Sequence, residues 1–157
     1  MNDCQNRLLS FIKRAEQATQ AAKERAVRAE KLTTAQYNVL LVLSHSPGIT
    51  ASELARRCFV TAQTMSSVLA RLIEHGLVSR TAHPRHKGVL EATVTPAGQY
   101  VLDLSDRRVE TVEAALTAAL SSAEQDQLRD LLARCVTAAG QVTLAREEHN
   151  PAAAGLA

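Results

Sequence analysis

The sequence predicts a mainly α-helical chain with one small β-hairpin, and three observations predict it. Both ends of the chain repeat apolar residues at helical spacing, over residues 5–30, which hold no glycine or proline, and again from residue 97 onward. The middle is crowded with helix caps and breakers: Pro47-Gly48, Thr50, Thr61 and Gly76. Two alternating segments, Leu77–Ala82 and Val89–Val94, flank the basic loop His83-Pro84-Arg85-His86-Lys87-Gly88. Helix, turn, helix and hairpin in that order make a winged helix-turn-helix, flanked by N- and C-terminal helices suited to pairing two copies.

Composition bounds the reading. A chain of 157 residues with 46% apolar and only 3% aromatic residues points to one domain with a core of Leu, Val, Ala and Ile. No apolar run approaches the roughly 18 residues of a membrane span. The N-terminus lacks the apolar stretch of a secretory signal, so a cytoplasmic protein is expected. Net charge is +2, but its distribution is uneven: residues 1–31 carry +3, residues 32–90 carry +4 and residues 91–157 carry −5. Arg56, Arg57, Arg71, Arg80, Arg85 and Lys87 form the middle block, the electrostatic footprint expected of a face that meets nucleic acid.

The elements follow in order. Residues 5–30 read as one long helix whose stripe starts at Leu8, Leu9, Phe11, Ile12 and Ala15 and continues in alanines, small enough for another helix to approach closely. Thr33 or Thr34 caps a second helix with Tyr37, Leu40 and Leu41 inward, ending at Ser46-Pro47-Gly48. Thr50-Ala51-Ser52-Glu53 has the form of a reciprocal capping box, opening a short helix that turns Leu54, Ala55 and Cys58 inward. Thr61 caps the next helix, which runs to His75 and stops at Gly76. After the hairpin, Thr95-Pro96 opens a long helix with Val101, Leu104, Val109, Val112, Leu116 and Leu120 at helical spacing. Ser121 and Ser122 restart a final helix, which ends between Ala139 and Glu148. The expected organisation is a winged lobe over 32–95, a helical dimerisation lobe from 1–31 and 96–148, and a flexible tail at 149–157.

The helix from Thr61 to His75 is the candidate reader of base sequence. Met65, Val68, Leu69 and Leu72 share one face, while Gln63, Thr64, Ser66, Ser67, Ala70 and Arg71 share the other. Small polar groups near a helix N-terminus can approach base edges in the major groove without a bulky barrier. Gln63 suits adenine, Thr64 and Ser67 suit a base edge or a phosphate, and Arg71 suits the backbone. Thr50, Ser52 and Thr61 stand at helix starts, where free amides also bind phosphate. Arg80, Arg85, His86 and Lys87 supply the charge of the hairpin. His83 and His86, without a nearby Cys or carboxylate, make a poor zinc site, so no metal and no cofactor is expected.

From Leu32 to Gly98 the chain resembles the MarR family of bacterial transcriptional regulators. The matching pieces are LTTAQYNVLLVL, the Pro47-Gly48 turn, ITASELARR, VTAQTMSSVLARLIEHGLVSR and LEATVTPAG. The resemblance implies a homodimer with interlocked terminal helices, placing two winged lobes on a pseudo-palindromic duplex. It also implies repression relieved by a small-molecule effector or an oxidant, with the effector bound where the dimer helices meet the winged lobe. Two departures stand out. Phe59 occupies a turn position where many members have glycine, which puts the turn geometry in question. The stretch Arg85-His86-Lys87-Gly88 replaces the family's Asp-x-Arg signature, and lysine cannot make arginine's planar fork in the minor groove.

Cys58 and Cys135 sit on apolar faces and read as small core residues; Cys4 lies near a helix start, where the dipole favours a thiolate. No nucleophile stands beside a base in a recognisable order, so an enzyme is not expected. The competing reading is a helical ligand- or partner-binding protein that keeps the fold without specific DNA binding.

Overall fold

The computed structural model describes residues 6–82 and 90–142. Their elements are α1 (Leu8–Arg28), α2 (Thr34–His45), β1 (Ile49–Thr50), α3 (Ala51–Arg57), α4 (Ala62–Glu74), β2 (Val78–Ala82), β3 (Leu90–Val94), α5 (Pro96–Ala118) and α6 (Ser122–Gly140). The chain divides into two compact units, Met1–Ala115 and Leu116–Ala157. The cysteine at position 4, the loop residues His83, Arg85, His86 and Lys87 and the tail at 149–157 lie outside the described residues, while the final helix ends at Gly140, inside the interval expected for it.

One core organises the first unit. Tyr37, Val39, Leu40 and Leu43 from α2 meet Leu54 and Ala55 from α3, and Met65, Leu69 and Leu72 from α4. Val78, Ala92 and Leu102 close it on the hairpin and α5 side, and Val27 brings in the end of α1. Each fully buried Leu or Met contributes about 1.5–3 kcal/mol relative to exposure, so these helices are oriented by their apolar sides.

The hairpin belongs to a three-stranded antiparallel sheet in the order β1-β3-β2. The sequence reading has only two strands; the third, β1, pairs Ile49 with Ala92 and Thr50 with Glu91. Two residues are too few to show an alternating pattern, which is why this strand is not visible in the sequence. In the longer pair Val78 faces Val94 and Arg80 faces Ala92, and the Ser79 and Thr93 hydroxyls bond at 2.9 Å.

The caps fall largely where the sequence puts them. Thr33, rather than Thr34, starts α2, in a reciprocal box with Gln36; Ser121 and Glu124 make a second box at α6. At α3 the expected box is only half formed. Thr50 Oγ1 accepts from the Glu53 amide at 3.3 Å, but the Glu53 carboxylate turns to Arg56 and Arg57 instead of back to the cap.

The face of α5 that enters the core is Gly98, Leu102 and Ser105. It differs from the stripe expected through Val101, Leu104 and Val112, whose side chains are only partly buried. Three of the helices end in the same device. The amide five residues on bonds back to the helix, Leu32 to Val27, Val60 to Ala55 and Leu77 to Leu72, with the preceding residue left-handed. That residue is Lys31 (φ 57°), Phe59 (φ 54°) and Gly76 (φ 68°) respectively. The turn at Phe59 therefore keeps the left-handed geometry a glycine would take, at a cost of roughly 1–2 kcal/mol for an L-residue.

Where the hairpin meets α5, the backbones touch. The Thr95 amide donates to Leu77 O at 3.0 Å, Thr95 Oγ1 donates to Gly76 O at 2.6 Å, and the Gly98 amide donates to Thr95 Oγ1 at 3.0 Å. A Cβ on Gly98 would stand 2.0 Å from Leu77 O, a backbone atom that cannot step aside. Gly98→Ala is therefore expected to destabilise the protein by about 3 kcal/mol or more, the upper range for overpacking. A shift of the urea midpoint to lower concentration measures it; an unchanged midpoint contradicts this account of the hairpin root.

Candidate nucleic-acid interface

The two sides of α4 are cleanly separated. Met65, Leu69 and Leu72 are 0% exposed, and Val68 packs against the same core. Gln63, Thr64, Ser66, Ser67, Ala70 and Arg71 are all exposed, so nothing among the described residues covers the polar side. The Thr61 hydroxyl accepts from the Thr64 amide at 3.1 Å and bonds Thr64 Oγ1 at 2.9 Å, which holds the first turn. Ser66 Oγ donates to Ala62 O at 2.9 Å and Ser67 Oγ to Gln63 O at 3.2 Å. These serines are folded back on their own helix, and a one-rotamer change frees them for an external acceptor. The Gln63 amide and the Arg71 guanidinium extend into solvent, with Ser67 and Arg71 edging a shallow cleft beside Thr33 and Gln36.

The other sequence-predicted residues lie on other elements. Thr50 is half-buried and occupied as a cap, Ser52 is exposed on α3, and Arg80 is exposed on β2. The wing residues Arg85, His86 and Lys87 fall outside the described residues.

Two polar clusters were not anticipated. On α3, the Glu53 carboxylate accepts from Arg56 Nη2 at 2.7 Å and from Arg57 Nε at 2.8 Å, and Arg57 Nη1 donates to Ser46 Oγ at 2.8 Å. The bonds from Arg56 and then Arg57 pull the Glu53 carboxyl down to about 2, and the same carboxylate raises Arg56 above its ordinary value. The spacing of three and four residues made this cluster readable, had the carboxylate not been assigned to the cap. Between α1, α2 and α5, the Tyr37 hydroxyl donates to Asp106 and Lys23 Nζ lies 5.2 Å from the Tyr37 ring centre while donating to Asn38 Oδ1 at 2.9 Å. Burial, then the Asp106 carboxylate, pushes the Tyr37 phenol well above its ordinary range. Next to Asp106 in the chain, the Ser105 hydroxyl is fully buried with no partner among the described residues. Tyr37 and Asp106 are 69 residues apart, so no local pattern announces the pair. Cys58 is half-buried and burial raises its thiol, as befits a core residue; Cys135 is only partly buried, on a helix that buries none of its residues.

A compact helix-turn-helix with its second helix open on the polar side and a hairpin beside it defines a winged-helix regulator, a class that works by binding DNA rather than by catalysis. Comparison with known proteins is specific. The MarR family model matches residues 31–87. The HTH-type transcriptional repressor Rv2887 of Mycobacterium tuberculosis is 34% identical over 101 residues, covering 64% of this chain and 73% of that one. Among solved structures, the transcriptional repressor CouR bound to a 23-mer DNA duplex superposes with a TM-score of 0.79 at 28% identity, over 87% of this chain and 96% of that one. Rv2887 in complex with salicylic acid superposes with a TM-score of 0.66 at 28% identity, over 86% and 99%. The chain belongs to the MarR family of transcriptional regulators. No helix among the described residues is long and apolar enough to cross a membrane.

The Glu53 cluster has a defined pH behaviour. Its carboxyl value is lowered, so whatever the contacts contribute is present above about 4.5, the ordinary value, and is lost as pH falls towards 2. Carboxyl carbon shifts followed by NMR should give a Glu53 midpoint near 2, moving up towards 4.5 in Arg56→Gln. A wild-type midpoint near 4.5 contradicts the clamp.

Proposed function

We propose that this protein is a cytoplasmic homodimeric repressor whose α4 helices enter successive major grooves of a pseudo-palindromic operator. The observation that carries this reading is the open polar side of α4 opposite an apolar side with no exposure at Met65, Leu69 and Leu72. In this arrangement Gln63 pairs with adenine through its amide, and Thr64, Ser66 and Ser67 reach base edges or phosphates. Thr50, Ser52, Thr61, Arg71 and Arg80 hold the duplex backbone, and Arg85, His86 and Lys87 on the hairpin lie along the neighbouring groove. Residues 32–95 act as the winged lobe, and 1–31 with 96–148 as the dimerisation lobe. The CouR complex with duplex DNA supports the placement of the winged lobe.

Pairing of two copies is supported by apolar surface that one copy leaves open. Leu8 and Leu9 on α1 are 66% and 70% exposed, and Leu128, Leu131 and Leu132 on α6 are 44–45% exposed. Between α1 and α5 runs a groove lined by the small side chains of Ala22, Ala26 and Ala115, with Arg25 and Arg108 beside them, where a second copy can approach closely. Rv2887 carrying salicylic acid supports a small-molecule effector for this chain as well. On this reading the effector sits where the dimer helices meet the winged lobe.

Two measurements test this reading. Gln63→Ala combined with Ser67→Ala should reduce preference for the operator over random duplex at least tenfold, since one good base contact is worth about 1–3 kcal/mol, while melting stays unchanged. An unaltered preference in a gel-shift competition removes α4 as the reader. Leu131→Glu with Leu132→Glu should turn a dimer into a monomer by light scattering; a monomeric wild type rejects the pairing.

A further inference from the structure

The turn between α3 and α4 holds a residue that neither the core nor the polar face of α4 accounts for. Phe59 adopts a left-handed backbone at φ 54° and leaves its ring 95% exposed, the most open of the large apolar side chains among the described residues. Its neighbours Cys58 and Val60 pack against the core, so only the ring of Phe59 is turned out. Gly76 makes the same turn at the end of α4 with neither strain nor exposed ring. Lys31 also makes this turn without glycine, at φ 57°, but its side chain is polar; at Phe59 a large apolar ring is held in water, and a contact outside the chain would account for it.

The surroundings say what that contact is. Phe59 stands two residues before Thr61, the cap of α4, at the end of the helix that leads into a groove. Arg56, with a side chain 75% exposed, lies one turn back, and the first amides of α4, which no carbonyl of the helix can satisfy, lie one step ahead. Both favour phosphates on either side of the ring. Between phosphates, the wall of a duplex offers the deoxyribose and, at its edge, the thymine methyl group; both are apolar surfaces that a phenyl ring fits.

We propose that Phe59 is a DNA-contacting residue that packs its ring on the sugar and thymine-methyl wall of the groove entered by α4. The inference rests on the reading that α4 is the groove helix. It assigns affinity to a strained position and trades stability for it.

The test uses the full-length protein and a duplex recovered by the wild type from a random pool. Phe59→Gly should bind that duplex about fivefold more weakly or worse, with the same dependence on salt, because an apolar contact releases no counterion. Its melting temperature should rise, since the left-handed strain is gone. Phe59→Ala, which keeps the strained turn, should lose the same affinity. The chain has no tryptophan, so Phe59→Trp supplies one reporter; its emission should change on adding the duplex. Wild-type-like binding by Phe59→Gly, or emission unmoved by saturating duplex, overturns the proposal while leaving α4 as the reader. A loss of affinity accompanied by a shallower salt slope also counts against it, because the ring then acts through Arg56. Failure of the wild type to select any duplex sinks the α4 reading itself.

Discussion

Burial of the apolar side of α4 is the constraint on which the rest of the structure depends. Met65, Leu69 and Leu72 are sealed against α2 and α3 with no exposure. A helix so held cannot roll, and its opposite side faces outward by geometry alone, at the 3.6-residue period that separates 63, 66, 67, 70 and 71 from 65, 69 and 72. The small hydroxyl and amide groups on that side are therefore presented as a rigid surface before any partner arrives. The serines fold back on their helix in the meantime, so no polar group is stranded.

The loops around α4 are held by backbone devices more than by side chains. The three left-handed turns at Lys31, Phe59 and Gly76 close α1, α3 and α4 with the same pair of hydrogen bonds, and set the angle at which each next segment leaves. At the far side, the contact of Gly98 with Leu77 O ties the root of the hairpin to α5. The position of the hairpin is thus coupled to α5. Any agent that moves α5 moves the hairpin root with it. Asp106, which accepts from the Tyr37 hydroxyl of α2, and the buried Ser105 lie on that same helix.

Much of this was legible in the residues. The caps at Thr50, Thr61 and Thr95, the breaks at Gly48 and Gly76, and both faces of α4 follow from local rules that need no tertiary contact. What escaped required distant partners or a choice between near-equal options. The strand β1 is two residues long and exists only because β3 lies beside it. The core face of α5 runs through Gly98, Leu102 and Ser105, where a small and a polar residue hid the periodicity. Glu53 had a capping amide and two arginines within reach, and charge decided for the arginines. The left-handed Phe59 breaks a steric preference, and strained positions of this kind tend to coincide with function.

The most direct measurement of the central claim is methylation interference on a duplex selected by the protein. Methylation of guanine N7 blocks the major groove, and methylation of adenine N3 blocks the minor groove. A groove helix at α4 in each copy predicts N7 interference in two clusters about ten base pairs apart, related by the symmetry of the dimer. Interference confined to adenine N3, or a single N7 cluster, would contradict the account.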